Sequence, residues 1–354
     1  MVRRLLGDFR WSILPVPGRV LAVIFFVLLF ILPLITHALI ADDDGILLTF
    51  TITCIYAIFA VSWDLLSGYS GQISFGHALC FGCGAYISAI LYLRFHLPPT
   101  ATIPIATVGA TLIGVVTCLP ALRLRAPYIS LLTMALPVIL ASIIKELPRE
   151  WLGGKYGLPH IPPLAHTATG TYYICLIVMA VSVLIMWKLT DAGSRYIRTG
   201  LIFHAIREDE IAARATGINT IRYKILAFAF SGFFAGIAGA LIAHVTNGAS
   251  PDHFSLLISF NAIIWVVFGG IVSIYGGVVG VFALYPILDL LSQYQAISPY
   301  RTLIVTVIII VILLFMPEGV AVWIRDKIER ECPRCKLGNV AWRKECRACG
   351  APLH

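Results

Sequence analysis

Charge is what this 354-residue chain has least of: Asp, Glu, Lys and Arg together make up 12% of it, and only 18 residues are acidic. With 59% hydrophobic residues and a mean hydropathy of +0.90, that scarcity excludes an ordinary soluble domain and indicates an integral membrane protein. No Gly-x-x-x-x-Gly-Lys-Ser/Thr phosphate loop occurs anywhere, so no nucleotide is expected to bind this chain. No internal repeat is visible. The N-terminal apolar run from Val20 to Ile40 is too long for a signal peptide's core, and no small-x-small cleavage site precedes Asp42, so it reads as a retained span.

What the chain has in abundance is apolar runs long enough to cross a bilayer, which takes roughly 20 residues each. Ten candidates lie near 20–40, 46–66, 73–93, 101–120, 128–147, 172–190, 223–246, 255–273, 277–293 and 301–316. The expected fold is therefore an all-α polytopic membrane protein of about ten transmembrane helices, with both termini on one side. Basic residues are retained on the cytoplasmic side. With the N-terminus inside, the inner segments hold Arg3, Arg4, Arg10 and Arg19, then Arg123 and Arg125, seven residues from Lys188 to Lys224, and eight from Arg325 onward. Only Arg94, Lys145, Arg149, Lys155 and Arg301 fall elsewhere, and the Asp42-Asp43-Asp44 turn is outside. The net charge of +8 then reads as a topogenic signal and an attraction to anionic lipid, with no nucleic acid implied. Both termini are expected to be cytoplasmic.

Three regions stand out. Between two hydrophobic blocks lies a charged, helix-forming island from Ala205 to Ile218 with Glu-x-Ala-Ala-x-x-x-Gly spacing at Glu210, Ala213 and Gly217, within a loop spanning 191–222. Glu208 and Asp209 sit near a helix start, where the dipole favours acids, and Gly217 can end the helix in a left-handed conformation. Second, Gly68, Gly71, Gly76, Gly82 and Gly84 interrupt an apolar stretch around Asp64, Gln72 and His77. Backbone freed from a helix at membrane depth is tolerated only inside protein or beside a water-filled cavity. The segment thus reads either as lining a path, with Gly68, Gly71, Gln72, Gly76 and His77 as candidates, or as close helix packing. His77 fits a structural hydrogen bond, with substrate contact as the alternative. Asp64 and Asp289 are intramembrane acids and so functional candidates. Third, the tail carries Cys332-Pro333-Arg334-Cys335, ten residues, then Cys346-Arg347-Ala348-Cys349. Two Cys-x-x-Cys knuckles at this spacing suit one tetrahedral, structural zinc, whose binding would supply the folding free energy of a tail too short to bury a core. Cys80 and Cys83 repeat the motif on a membrane helix, where packing is the expectation.

The run Gly68-Tyr69-Ser70-Gly71-Gln72-Ile73-Ser74-Phe75-Gly76-His77-Ala78, followed by Gly82-x-Gly84-Ala85-Tyr86, resembles the signature of branched-chain amino-acid ABC transporter permeases of the LivM-like type. Tyr128 to Thr133, the coupling island with Gly217-Ile218-Asn219, and Phe268-Gly269-Gly270 with Gly276-Gly277-x-x-Gly280 match in order, so the resemblance covers roughly residues 20 to 324. Val278 stands where these permeases usually carry Pro. The resemblance implies a permease domain over 20–324, after a cytoplasmic segment 1–19 and before a zinc-ribbon tail 325–354. It also implies a bacterial or archaeal cytoplasmic membrane, a second permease subunit, two ATP-binding subunits and an extracytoplasmic substrate-binding protein. Glu210, Ala213 and Gly217 would belong to the helix that docks on the ATPase. Branched-chain amino acids lead as cargo, before urea, amides or other amino acids. An ion-coupled secondary transporter and a zinc-ribbon membrane sensor are readings from other classes. The glycine-rich loop from Leu147 to Thr171, expected outside, suits contact with the binding protein or an irregular connection.

Overall fold

The computed structural model describes residues 16–39, 44–121, 126–191, 198–293, 300–316, 319–320, 323, 329–331 and 338–340. Each expected apolar window holds a helix: α1 (Val16–Leu39), α2 (Asp44–Trp63), α3 (Ala78–Phe95), α4 (Pro99–Ala121), α5 (Ala126–Glu146), α7 (Ala168–Thr190), α10 (Thr220–Val245), α11 (Leu256–Gly269), α12 (Ile274–Gln293) and α13 (Arg301–Phe315). Shorter helices α6 (Arg149–Leu152), α8 (Thr199–Glu208) and α9 (Glu210–Ala215) lie between them. Among the described residues, seven helical segments are long and apolar enough to cross a membrane. With 14 residues, α11 reaches only about 21 Å at 1.5 Å per residue, less than the hydrocarbon thickness of roughly 30 Å.

The bundle centres on α2, α3 and α10. Two thirds of the apolar windows of α2 and α10 (67% each) are buried, against 22% for α5, which marks α5 as peripheral. Apolar attraction cannot drive helices together in lipid, so close approach through small residues takes its place. A Cβ on Gly239 would run into the carbonyl of Phe81, one on Gly84 into the carbonyl of Gly236, and Gly232 lies against Gly114 and Ala110 of α4. The Gly232-x-x-x-Gly236 and Gly276-x-x-x-Gly280 patterns are thus packing seams within this chain, the second closing α12 onto Gly269 and Trp265 of α11.

Two boundaries differ from the sequence expectation. The third apolar window runs over 73–93, but α3 starts at Ala78, and α2 continues through a π turn, Asp64–Tyr69. Gly71 (φ 71°) and the Ser70 hydroxyl bonded back to Leu66 O at 2.6 Å turn the chain out of the helix. Residues 70–77 are therefore the broken segment. The window 255–273 likewise ends early, at Gly269, because Gly270 (φ 118°) and Val272 (φ 62°) leave helical space. The loop after α6 is ordered by a two-residue ladder, β1 (Leu158–Pro159) with β2 (Gly248–Ala249). A second ladder pairs β3 (Glu329–Glu331) with β4 (Gly338–Val340). The four tail cysteines, Cys332, Cys335, Cys346 and Cys349, lie outside the described residues, while Cys54, Cys80, Cys83, Cys118 and Cys175 are buried free thiols.

Replacing Gly239 with Ala should cost about 1–3 kcal/mol by overpacking the α3–α10 seam, read as a lower midpoint of thermal unfolding in detergent. Gly45→Ala, where a Cβ meets nothing within 4 Å, should leave the midpoint unchanged or raise it.

Candidate site: a short helix pair and a glycine-broken segment

The charged island folds as two helices, not one. Asp209 (φ −154°) breaks it, and its carboxylate accepts the N–H groups of Ile211 at 2.8 Å and Ala212 at 3.0 Å, capping α9. At the other end Gly217 takes φ 88°; its N–H donates to Arg214 O and the N–H of Ile218 to Ala213 O, the Schellman closure. Asn219 then caps α10 by accepting the Arg222 N–H at 3.1 Å. One-residue punctuation marks, Asp209, Gly217 and Asn219, thus shape the whole element.

Glu210 faces the protein. Its carboxylate takes Lys224 Nζ at 2.7 Å and Arg214 at 2.9 Å, and the Lys224 side chain is only 11% exposed. Burial alone would raise the Glu210 pKa, but the hydrogen bond and charge of Lys224, with help from Thr220 and Arg214, outweigh it and hold the group below its ordinary 4.5. Ala213 is buried against the body. The surface that α9 presents is made by Ile211, 81% exposed, with Ala212, Ala215 and Thr216. Ile211 is the residue that pattern reading missed. The signal was available, since two positions at 100° each put it across the helix from Ala213.

At the broken segment, all five named candidates are packed within this chain. A Cβ on Gly68 would strike Asp64 Oδ1, Gly71 lies against Arg207, and Gly76 against the carbonyl of Thr133. Gln72 is buried with its amide on Ser70 O, and His77 Nε2 meets Ser62 Oγ at 2.7 Å, beside the ring of Phe59. Much of the freed backbone finds partners within the protein. The N–H groups of Ser74, Phe75 and Ala78 donate to Ser67, Thr133 and Ser259 hydroxyls, while Trp63 Nε1 and Ser130 Oγ donate to the carbonyls of Ser74 and Ile73. A cavity of about 20 Å³ beside His77, Thr133 and Ser231 has room for a water and not for an amino acid. Of the intramembrane acids, Asp289 accepts the Thr49 hydroxyl at 2.6 Å, and Asp64 accepts backbone N–H groups of the α11–α12 turn.

Because the Glu210 pKa is lowered on folding, its contribution is present above the ordinary carboxylate range and is lost as pH falls through the folded value. Glu210→Gln should therefore cost about 1–2 kcal/mol at pH 7, mainly by leaving Lys224 unpaired. The gap in unfolding midpoint between variant and parent should close in acid. A gap independent of pH would show that the pairing does not stabilise the fold.

A family model described as branched-chain amino acid transport system / permease component matches residues 45–314. The high-affinity branched-chain amino acid transport system permease protein LivM of Escherichia coli K12 is 26% identical over 324 residues, covering 83% of this chain and 72% of that protein. LivH of the same strain, described in the same words, is 24% identical over 297 residues, 76% of this chain and 92% of that protein. A galactofuranose transporter permease, YtfT of E. coli K12, is 31% identical over 102 residues, 29% of this chain and 28% of its own. With three quarters of its length matched, including α8, α9 and the broken segment, this chain belongs to the branched-chain amino acid transport permease family.

Proposed function

We propose that the chain is the membrane permease of an ATP-driven importer for branched-chain amino acids, with α8 and α9 as the docking element for a separate ATPase. The observation that carries this is the α8–α9 pair itself: two short capped helices held to the bundle through buried Phe203, Ile206 and Ala213, with Ile211 turned outward. An apolar side chain exposed at the tip of an otherwise charged element suits insertion into a partner's groove. All ten helices are read as spanning, α11 as a half-length one completed by the turns at its two ends, with α8, α9 and both termini cytoplasmic. A second permease subunit, two ATP-binding subunits and an extracytoplasmic binding protein complete the importer, and the ordered 147–167 loop is the surface read as facing the binding protein.

Asp64 and Asp289 both have structural hydrogen-bond partners, which favours ATP coupling over a proton-carrying role in an ion-coupled transporter. Cargo other than branched-chain amino acids is the second reading, favoured by the local likeness to a permease described for galactofuranose.

The tail is assigned a structural zinc held by Cys332, Cys335, Cys346 and Cys349. Supporting this are the spacing of the two Cys-x-x-Cys pairs and the antiparallel pairing of Glu331 with Gly338, which brackets the first pair in sequence. A two-stranded hairpin of this size is marginal alone, and a metal would stabilise it. Four thiolates leave no open position, so the metal would be structural.

Tagged chain extracted in mild detergent should bring down a second permease and P-loop ATPases, and Ile211→Asp should lose the ATPases while keeping the permease. Recovery of the chain without any ATPase, or uptake abolished by collapsing the proton gradient while ATP persists, would sink the importer reading. Elemental analysis of the same preparation should find about one zinc per chain, absent after Cys332→Ser with Cys335→Ser; zinc unchanged in that variant would refute the tail site.

A further inference from the structure

Asp64 is completely buried and opens the π turn that ends α2. Its Oδ1 accepts the Val272 N–H at 2.9 Å and its Oδ2 the Ser273 N–H at 3.1 Å. These two donors lead directly into α12, whose first turn Ser273 caps by accepting the Gly276 N–H, and whose dipole favours an anion at that place. A carboxylate from one span therefore holds the start of another. The turn so held is strained: Val272 is β-branched yet sits at φ 62°, a conformation that such residues occupy only when their surroundings impose it.

The opposite side of the same six-residue turn rests on α8. Tyr69 meets the His204 ring of α8 edge-on at 5.4 Å. Just beyond, Gly71 packs against Arg207, whose backbone and side chain would lie 3.3 Å from a Cβ there. From Arg207 it is two residues to the Asp209 cap of α9. The path from the docking helix to the α11–α12 turn thus runs through one π turn, a distortion that recurs at functional positions in helices.

We infer that Asp64 is the positioning residue that relays movement of α8 and α9 to the α11–α12 pair, by gripping the Val272 turn. This rests on the importer reading above. When the docking element shifts, the π turn shifts with it through Tyr69 and Gly71, and the two Asp64 hydrogen bonds carry that displacement to the head of α12. A strained turn transmits the displacement because it has little freedom to absorb it. Gly68 is required in this account, since any larger residue would displace the Asp64 carboxylate.

The test is uptake and ATP hydrolysis measured together in proteoliposomes holding the complete transporter. Asp64→Asn keeps the shape but loses the charge and one acceptor. Val272→Gly keeps both backbone hydrogen-bond donors and relieves the positive φ, at the cost of the valine's packing against the core. In both variants substrate moved per ATP should fall by about ten-fold while hydrolysis stays near that of the parent, within the range that coupling residues command. A purely structural role predicts that Val272→Gly leaves the ratio untouched, and that Asp64→Asn lowers uptake and hydrolysis in proportion or lowers assembly alone. Either result in Val272→Gly with assembled protein decides the matter, and an unchanged ratio overturns the relay. Parent transporter whose uptake ignores ATP would overturn the importer reading and the relay with it, an outcome recognisable without any variant.

Discussion

A peptide group released from its helix in a hydrocarbon slab must find a partner within the protein, because no water is there to take its place. Among the described residues, the chain leaves helical geometry between apolar helices at 70–77 and 270–273, and side chains from neighbouring helices meet the backbone there. At the first, hydroxyls of Ser67, Thr133 and Ser259 and the indole of Trp63 come from four elements to meet the exposed backbone. At the second, a single carboxylate takes two N–H groups. Each break is therefore a junction where spans remote in sequence are tied together, and neither can move without its partners.

The same constraint explains why the glycines cluster where they do. Gly68 leaves space for Asp64, Gly71 for Arg207, and Gly76 for the backbone of α5. Their common property is absence of bulk at a crossing. Gly71 adds a left-handed turn that ends the π segment. A glycine-rich signature in a membrane span is thus compatible with a dense interior, and here the interior is dense.

The α8–α9 element divides its labour by face. Glu210 and Ala213 secure it to α10 and the bundle, Asp209 and Gly217 set the ends of α9, and Ile211 is left exposed. The residues that make α9 recognisable as a pattern are those that hold its shape. The exposed Ile211 lies between them, which is why a spacing rule found the element but not its outward face.

Part of this was legible in the sequence, because membrane insertion depends on local composition: each of the ten apolar runs holds a helix, and the Gly217 terminus followed from capping chemistry that acts within one turn. The split of the island at Asp209 was not legible, since an aspartate suits a helix start and a helix's first turn equally well. Nor was the start of α3 at Ala78, because Ile73 and Phe75 are as apolar as any helical residue and only their hydrogen bonds to α5 betray the break. Sequence by itself determined the class, the apolar helices and the glycine that ends α9. Tertiary structure alone decided which groups Asp64, Glu210, Gly68 and His77 touch, because each meets a partner brought to it by packing: Val272 lies 208 positions from Asp64, and Lys224 stands on the next long helix from Glu210.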